Sequence, residues 1–253
     1  MEIEAIYTLW LREIKRFLRS KSRIVGNLSM PVVWLVIMGV GLNSTFSIPG
    51  MEVSYLNFMA PGIIGMTLMF TSVFSGVSVI WDKKFGFMKE ILVAPVSRVS
   101  IVLGKTLGSV TISIINGILI LIIAVAMGGI ALSSLSLWSV IKVVAFMALI
   151  SLSFVSLGLA IAAKLNDTEG FQLIMSFLVM PLFFLSGAFF PIDNAPAWMK
   201  TLSSLDPLFY GVDGLRGSIL GVSHMPLIYD FTVLAIFAGA VVLIASWMFN
   251  KME

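Results

Sequence analysis

Six stretches of this chain stay apolar over the length a helix needs to cross the ~30 Å hydrocarbon layer of a membrane, about 20 residues each. They run over 24–46, 57–81, 100–128, 138–163, 170–190 and 228–249. In lipid a backbone satisfies its own hydrogen bonds, so runs of this length and number read as helices. Composition agrees: 59% of the residues are hydrophobic and only 11% charged, whereas a water-facing surface raises charge to about 25%. The fold class is therefore all-α integral membrane, a single transmembrane domain over 1–253. Pro31, Pro61 and Pro181 fall inside or near the starts of three spans, where neighbouring helices can re-satisfy the freed carbonyls.

The first 23 residues do not continue this pattern. At 100° per residue, Ile3, Ile6, Tyr7, Trp10, Leu11, Ile14, Phe17 and Leu18 gather in an arc of about 140°, opposite Glu4, Thr8, Arg12, Lys15, Arg16 and Arg19. Such a helix lies in the membrane interface rather than across it. It serves either as a surface anchor or as a docking surface for a partner, with Trp10, Arg12, Arg16 and Arg19 as its marker residues.

Six crossings divide the 16 Lys and Arg residues unequally. Thirteen fall on the side of the N-terminus and three, Lys142, Lys200 and Arg216, on the other. The basic side faces the cytoplasm, so both termini are expected there, in a cell (plasma or inner) membrane. Trp81, Trp138 and Trp247 stand at span ends, as interfacial anchors do. The net charge of +3 thus reports orientation, and no nucleic-acid partner is expected.

No cysteine and one histidine, His224, leave no disulfide, thiol nucleophile or metal-ligand set to assign. No catalytic, cofactor-binding or metal site is expected, and the chain is not read as an enzyme. Apart from Lys142, no ionisable residue is placed well inside a span, which argues against proton- or cation-coupled transport and voltage sensing. The triplet Gly104-Lys105-Thr106 is not a phosphate loop, because the glycine required five positions earlier is Val99 and an apolar helix, not a strand, surrounds it. Lys105 reads as an anchor at the span end. Any energy for pumping must come from another chain.

Between the second and third spans, 82–98 reads as an inner loop. A short helix is expected from about Phe87 to Val93, stopped by Pro95, with Ser97 or Ser100 capping the next span. Phe87, Met88, Ile91 and Leu92 supply an apolar face suited to lipid or to a groove in a partner.

These residues carry a resemblance. Gly86 through Arg98 followed by Leu103-Gly104-Lys105, then Pro181 through Pro191, then Asp206-Pro207-Leu208-Phe209-Tyr210-Gly211 through Gly217, occur in the order found in permease subunits of type-2 ATP-binding-cassette (ABC) transporters. The chain is similar to the branch with daunorubicin-resistance and nodulation-factor exporters. The resemblance implies a coupling helix at Phe87, Met88, Glu90, Ile91 and Leu92, with Arg98 beyond it, seated in a cleft of a separate ABC ATPase. It implies that the N-terminal helix abuts that ATPase, that two ATPases and a second copy of the permease complete the unit, and that ATP and Mg bind the partner rather than this chain. The path would lie between permeases and work by alternating access as an exporter. Phe85 and Lys89 depart from positions where relatives carry acidic residues.

Residues 191–227 are too long for a turn. Pro196 and Pro207 mark two short helix starts, implying re-entrant outer helices that dip into the outer leaflet. Asp213 and Arg216 are spaced to pair at i,i+3, as a local ion pair or an outer gate. Phe183, Phe184, Phe189 and Phe190 form either ordinary packing or an apolar exit route. His224 reads as a plain loop residue. Two other classes fit the same spans: a self-contained secondary transporter or channel, and a membrane scaffold subunit.

Overall fold

A computed structural model describes residues 2–42, 54–86 and 96–250, without the side chains of Arg98 and Asn250. Among the described residues there is no strand. The helices are α1 (Glu2–Arg19), α2 (Lys21–Trp34, continued by a π-helical turn, Leu35–Val40), α3 (Tyr55–Phe74), α4 (Val77–Lys84) and α5 (Arg98–Ala126). They continue with α6 (Leu137–Lys164), α7 (Thr168–Leu185), α8 (Ala197–Ser204), α9 (Pro207–Leu220) and α10 (Leu227–Asn250). Six are long and apolar enough to cross a membrane, α3 and α4 acting together as one of them. The chain is an all-helical membrane protein.

Polar residues at the boundaries set the starts. Ser54, Ser97, Ser136 and Asp167 accept from backbone N–H groups at the starts of α3, α5, α6 and α7, satisfying amides that the helix leaves free. Of the two candidates for capping the third span, Ser97 does so, accepting from the Ser100 amide at 3.1 Å. The fifth span ends at Leu185, five residues short of its expected limit. Gly187 adopts φ +71, and the Ser186 hydroxyl turns back to the Phe183 carbonyl at 2.7 Å, so the helix closes on a glycine turn.

α3 forms the centre of the molecule and packs on α5, α6 and α9. Almost every α3 side chain from Tyr55 to Met69 is buried, whereas α2, α7 and α10 keep most of their surface outward. The chain breaks between α3 and α4 where Gly76 meets Gly158 of α6. A Cβ on Gly158 would lie 2.3 Å from the Val73 carbonyl oxygen, so the two backbones approach at a distance only glycine permits.

α9 is short and lies inside the protein. It is wedged among α3, α6 and α10, and every residue from Pro207 to Ile219 is buried. Asp206 caps it by accepting from the Leu208 amide at 2.8 Å. At α8, Pro196 occupies the cap position rather than the first helical turn.

Candidate functional site

Two features stand out: a charged joint at the end of the bundle that carries α1, and a groove that opens sideways above it. The joint begins with α1, which lies along the first four turns of α5. Gly104 and Gly108 make this possible, since a Cβ on either would sit 2.8 Å from the Cβ of Leu9 or Glu13. The Gly-Lys-Thr segment is thus a packing surface for α1. Trp10 donates from its indole nitrogen to the Thr111 hydroxyl at 3.1 Å. The Glu2 carboxylate accepts from the Ser97 amide at 3.0 Å and from the hydroxyls of Ser97 and Ser100. Those bonds hold the Glu2 carboxyl below the usual carboxylate range.

Asp82, in the last turn of α4, is the centre of the joint. It accepts from Arg12 Nη2 at 3.2 Å and pairs with Lys105 Nζ. Asp82 is 4% exposed and Lys105 only 1%. The expectation that Lys105 is a span-end anchor is corrected here: it lies inside the protein as half of a buried ion pair. A further acid, Asp230, is fully buried in the first turn of α10. Next to Asp82, Lys83 donates to the carbonyls of Ala162, Ala163 and Leu165 at 3.1, 2.6 and 3.2 Å, a cation on the free C-terminal carbonyls of α6. One turn of α4 therefore grips α1, α5 and α6 together.

Of the expected markers of α1, Trp10 and Arg12 take part in the joint. Arg12 was placed on the polar face, yet it turns inward, because a buried carboxylate waits there. Glu13 and Phe17 are buried, while Ile3, Tyr7 and Leu18 stay exposed, so the buried stripe is rotated from the centre of the apolar arc. Arg16 stands over the Trp81 ring at 5.9 Å, and Arg19 lies on the exposed side. The segment carrying Phe87, Met88, Glu90, Ile91 and Leu92 lies outside the described residues, as does the Arg98 side chain. Its two flanks, α4 and the start of α5, are the elements joined through Asp82.

The groove, with a volume of about 460 Å³, lies between α2, α3–α4 and α7. Arg16, Arg23, Asn27, Ser78 and Trp81 line its end near the joint, and Met30, Trp34, Phe70, Phe74, Phe183 and Phe184 line its length. The four candidate phenylalanines separate. Phe183, Phe184 and Phe189 form one cluster with ring centroids 4.9 to 5.9 Å apart, and Phe70 joins at 6.2 Å and Trp34 at 5.0 Å. Phe190 packs instead beside Ile192, Phe209 and Tyr210.

At the opposite end, Asp213 and Arg216 do not pair with each other. Asp213 accepts from the backbone amides of His224 and Met225 at 2.8 to 2.9 Å. Arg216 donates to the Gly187 carbonyl at 2.8 Å and stacks over Phe58 at 3.9 Å. Burial pulls the guanidinium down to about 10, against the attraction of Asp213 and Asp193. His224 is more than a plain loop residue, since its Nδ1 meets Asp193 at 2.8 Å. Arg216 thus ties α9 to the turn that ends α7, and Asp213 ties α9 to the approach to α10.

Asp82, Lys83 and Glu2 were not singled out from sequence. The available signal was position: an acid in the last turn of one span and a lysine two turns into the next, both at the same end of the bundle.

Residues 4–220 match the family model described as ABC-2 type transporter. The inner membrane transport permease YadH of Escherichia coli K12 is 29% identical over 243 residues, covering 95% of this chain and 92% of that protein. The transport permease ycf38 of Porphyra purpurea is 30% identical over 217 residues, 85% of this chain and 73% of that protein. Nodulation protein J of Rhizobium leguminosarum is 26% identical over 234 residues, 91% of this chain and 87% of that protein. With a match that runs from the first turn of α1 to the end of α9, the chain belongs to the ABC-2 type transporter permease family.

Proposed function

We propose that this chain is the membrane-spanning half of an ATP-driven exporter, moved by a separate ABC ATPase that docks at the end of the bundle carrying α1. The observation that supports this reading is the joint at Asp82. A push on the segment 87–93 enters α4 on one side and α5 on the other, and the Arg12–Asp82–Lys105 contacts pass it to α1 while Lys83 passes it to α6. A rigid grip on four helices is what a soluble motor needs in order to convert a small movement at its surface into a shift of spans.

In this reading Phe87, Met88, Ile91 and Leu92 fill the motor's groove, Glu90 and Arg98 fix its register, and Arg16 and Arg19 face its surface. The joint lies on the cytoplasmic side, with both termini. Two copies of the permease and two ATPases form the unit, ATP and Mg are held by the ATPase, and the path opens between permeases. Phe183 and Phe184 border that path, while Arg216 and Asp213 hold its outer closure. The test is ATP hydrolysis by the cognate ATPase reconstituted with the permease in vesicles. Glu90→Ala and Leu92→Ala are expected to weaken partner binding and lower the permease-dependent hydrolysis at least five-fold. Binding and hydrolysis at wild-type level in both variants would refute the coupling role.

A further inference from the structure

The groove carries a signature of its own. α1 and α2 each send one arginine to the same end of it, Arg16 and Arg23, beside Asn27 and Ser78. Among the described residues, neither arginine has a carboxylate within ion-pair distance. Lys15 and Arg19 of α1 likewise have no such partner, and only Arg12 finds a buried acid; what sets Arg16 and Arg23 apart is that they converge on one groove. The two like charges repel at the margin of an apolar medium, Glu13 attracts Arg23 only from beyond ion-pair distance, and an anion between the arginines removes the remaining cost.

Beyond this rim the walls change character. From Trp81 back to Met66 the groove follows α4 and α3 for 15 residues, about 22 Å at 1.5 Å per residue, which exceeds one ~15 Å leaflet of the hydrocarbon core. Met30, Met180, Phe70, Phe74, Phe183 and Phe184 face it. Methionine and aromatic walls adapt to a flexible apolar chain. The groove opens beside the outward faces of α2 and α7, where Val33, Ile37, Leu173 and Phe177 are exposed, so an occupant can enter sideways from lipid. A neutral hydrophobic compound leaves the two arginines uncompensated, and a small free anion leaves the aromatic walls empty. We propose that the groove binds an anionic amphiphile of the membrane, its acidic head between Arg16 and Arg23 and its chain along Phe74, Phe70 and Trp34. This rests on the permease reading only in assigning that amphiphile as the class of substrate.

Trp34 reports occupancy directly. The chain is reconstituted without an ATPase into phosphatidylcholine vesicles containing a small fraction of lipid with brominated acyl chains, either phosphatidic acid or phosphatidylcholine. Quenching of Trp34 is taken as the difference between wild type and Trp34→Phe. Brominated phosphatidic acid is expected to quench Trp34 at least three-fold more than brominated phosphatidylcholine at equal mole fraction. Millimolar inorganic phosphate should leave this unchanged. Arg16→Gln with Arg23→Gln should abolish the preference, and the paired lysine substitutions should retain it, which separates charge from folding. Lys15→Gln with Arg19→Gln removes equal charge from α1 outside the groove and should retain it too. Equal quenching by the two lipids, no quenching by either, loss of preference in the Lys15/Arg19 pair, or displacement by phosphate overturns the assignment. Because the readout needs no ATPase, failed ATP coupling bears on the permease reading alone, and a lost preference with coupling intact bears on the groove alone.

Discussion

At the scale of single residues, Asp82 decides how the basic end is built. Removing one partner of a buried ion pair strands the other charge and costs about 3–5 kcal/mol. Lys105→Met is therefore expected to lower the midpoint of thermal unfolding in detergent markedly. Adding Asp82→Leu together with Arg12→Leu should recover part of the loss, since all three charges of the joint are then gone. A triple variant no more stable than Lys105→Met contradicts the pairing. Glu2 supplies a pH dependence of known sign. Its carboxyl is held below the ordinary range by Ser100 and Ser97, so its contribution to seating α1 on α5 is complete above the unfolded value. It fades as pH falls through the folded value. Amide exchange in the first turns of α1 should rise on acidification below about pH 4.5 in wild type, and Glu2→Gln should show raised exchange already at neutral pH.

Among the elements, α1 shows what pattern alone can and cannot resolve. Its helical period and two-sided character are plain in the sequence. The side that meets the protein is not, because Arg12 is drawn inward by Asp82 and Glu13 packs on the surface offered by Gly108, and these partners are 70 or more residues away. The spans themselves follow from hydropathy, since lipid accepts little else. Their ends do not, because a serine cap or a glycine in the left-handed region sets them locally, as at Ser97 and Gly187. α9 shows the same limit: its composition suits lipid and core equally, and its burial on α3 and α6 depends on partners distant in sequence. Gly108→Leu should force α1 away from α5 without touching any charge. Hydrogen exchange along α1 is expected to rise over its whole length while α6 stays protected, and unchanged protection of α1 rules out the close approach.

For the whole molecule, charge is concentrated where the helices are joined, and the groove starts there. α3 forms a fixed centre, whereas α2 and α7 are tied to it by few contacts and leave most of their surface outward. This division suits a machine in which one end is gripped and the outer spans move. The central claim is that force enters at 87–93 from an ABC ATPase. It is tested most directly by placing a photo-reactive amino acid at Leu92 and, as a control at the other end, at Leu137, then irradiating native membranes. Leu92 is expected to yield an adduct with an ABC ATPase, recognised by its phosphate-loop peptide, and Leu137 none. Absence of an ATPase adduct at Leu92, or equal adducts at both positions, would contradict the claim.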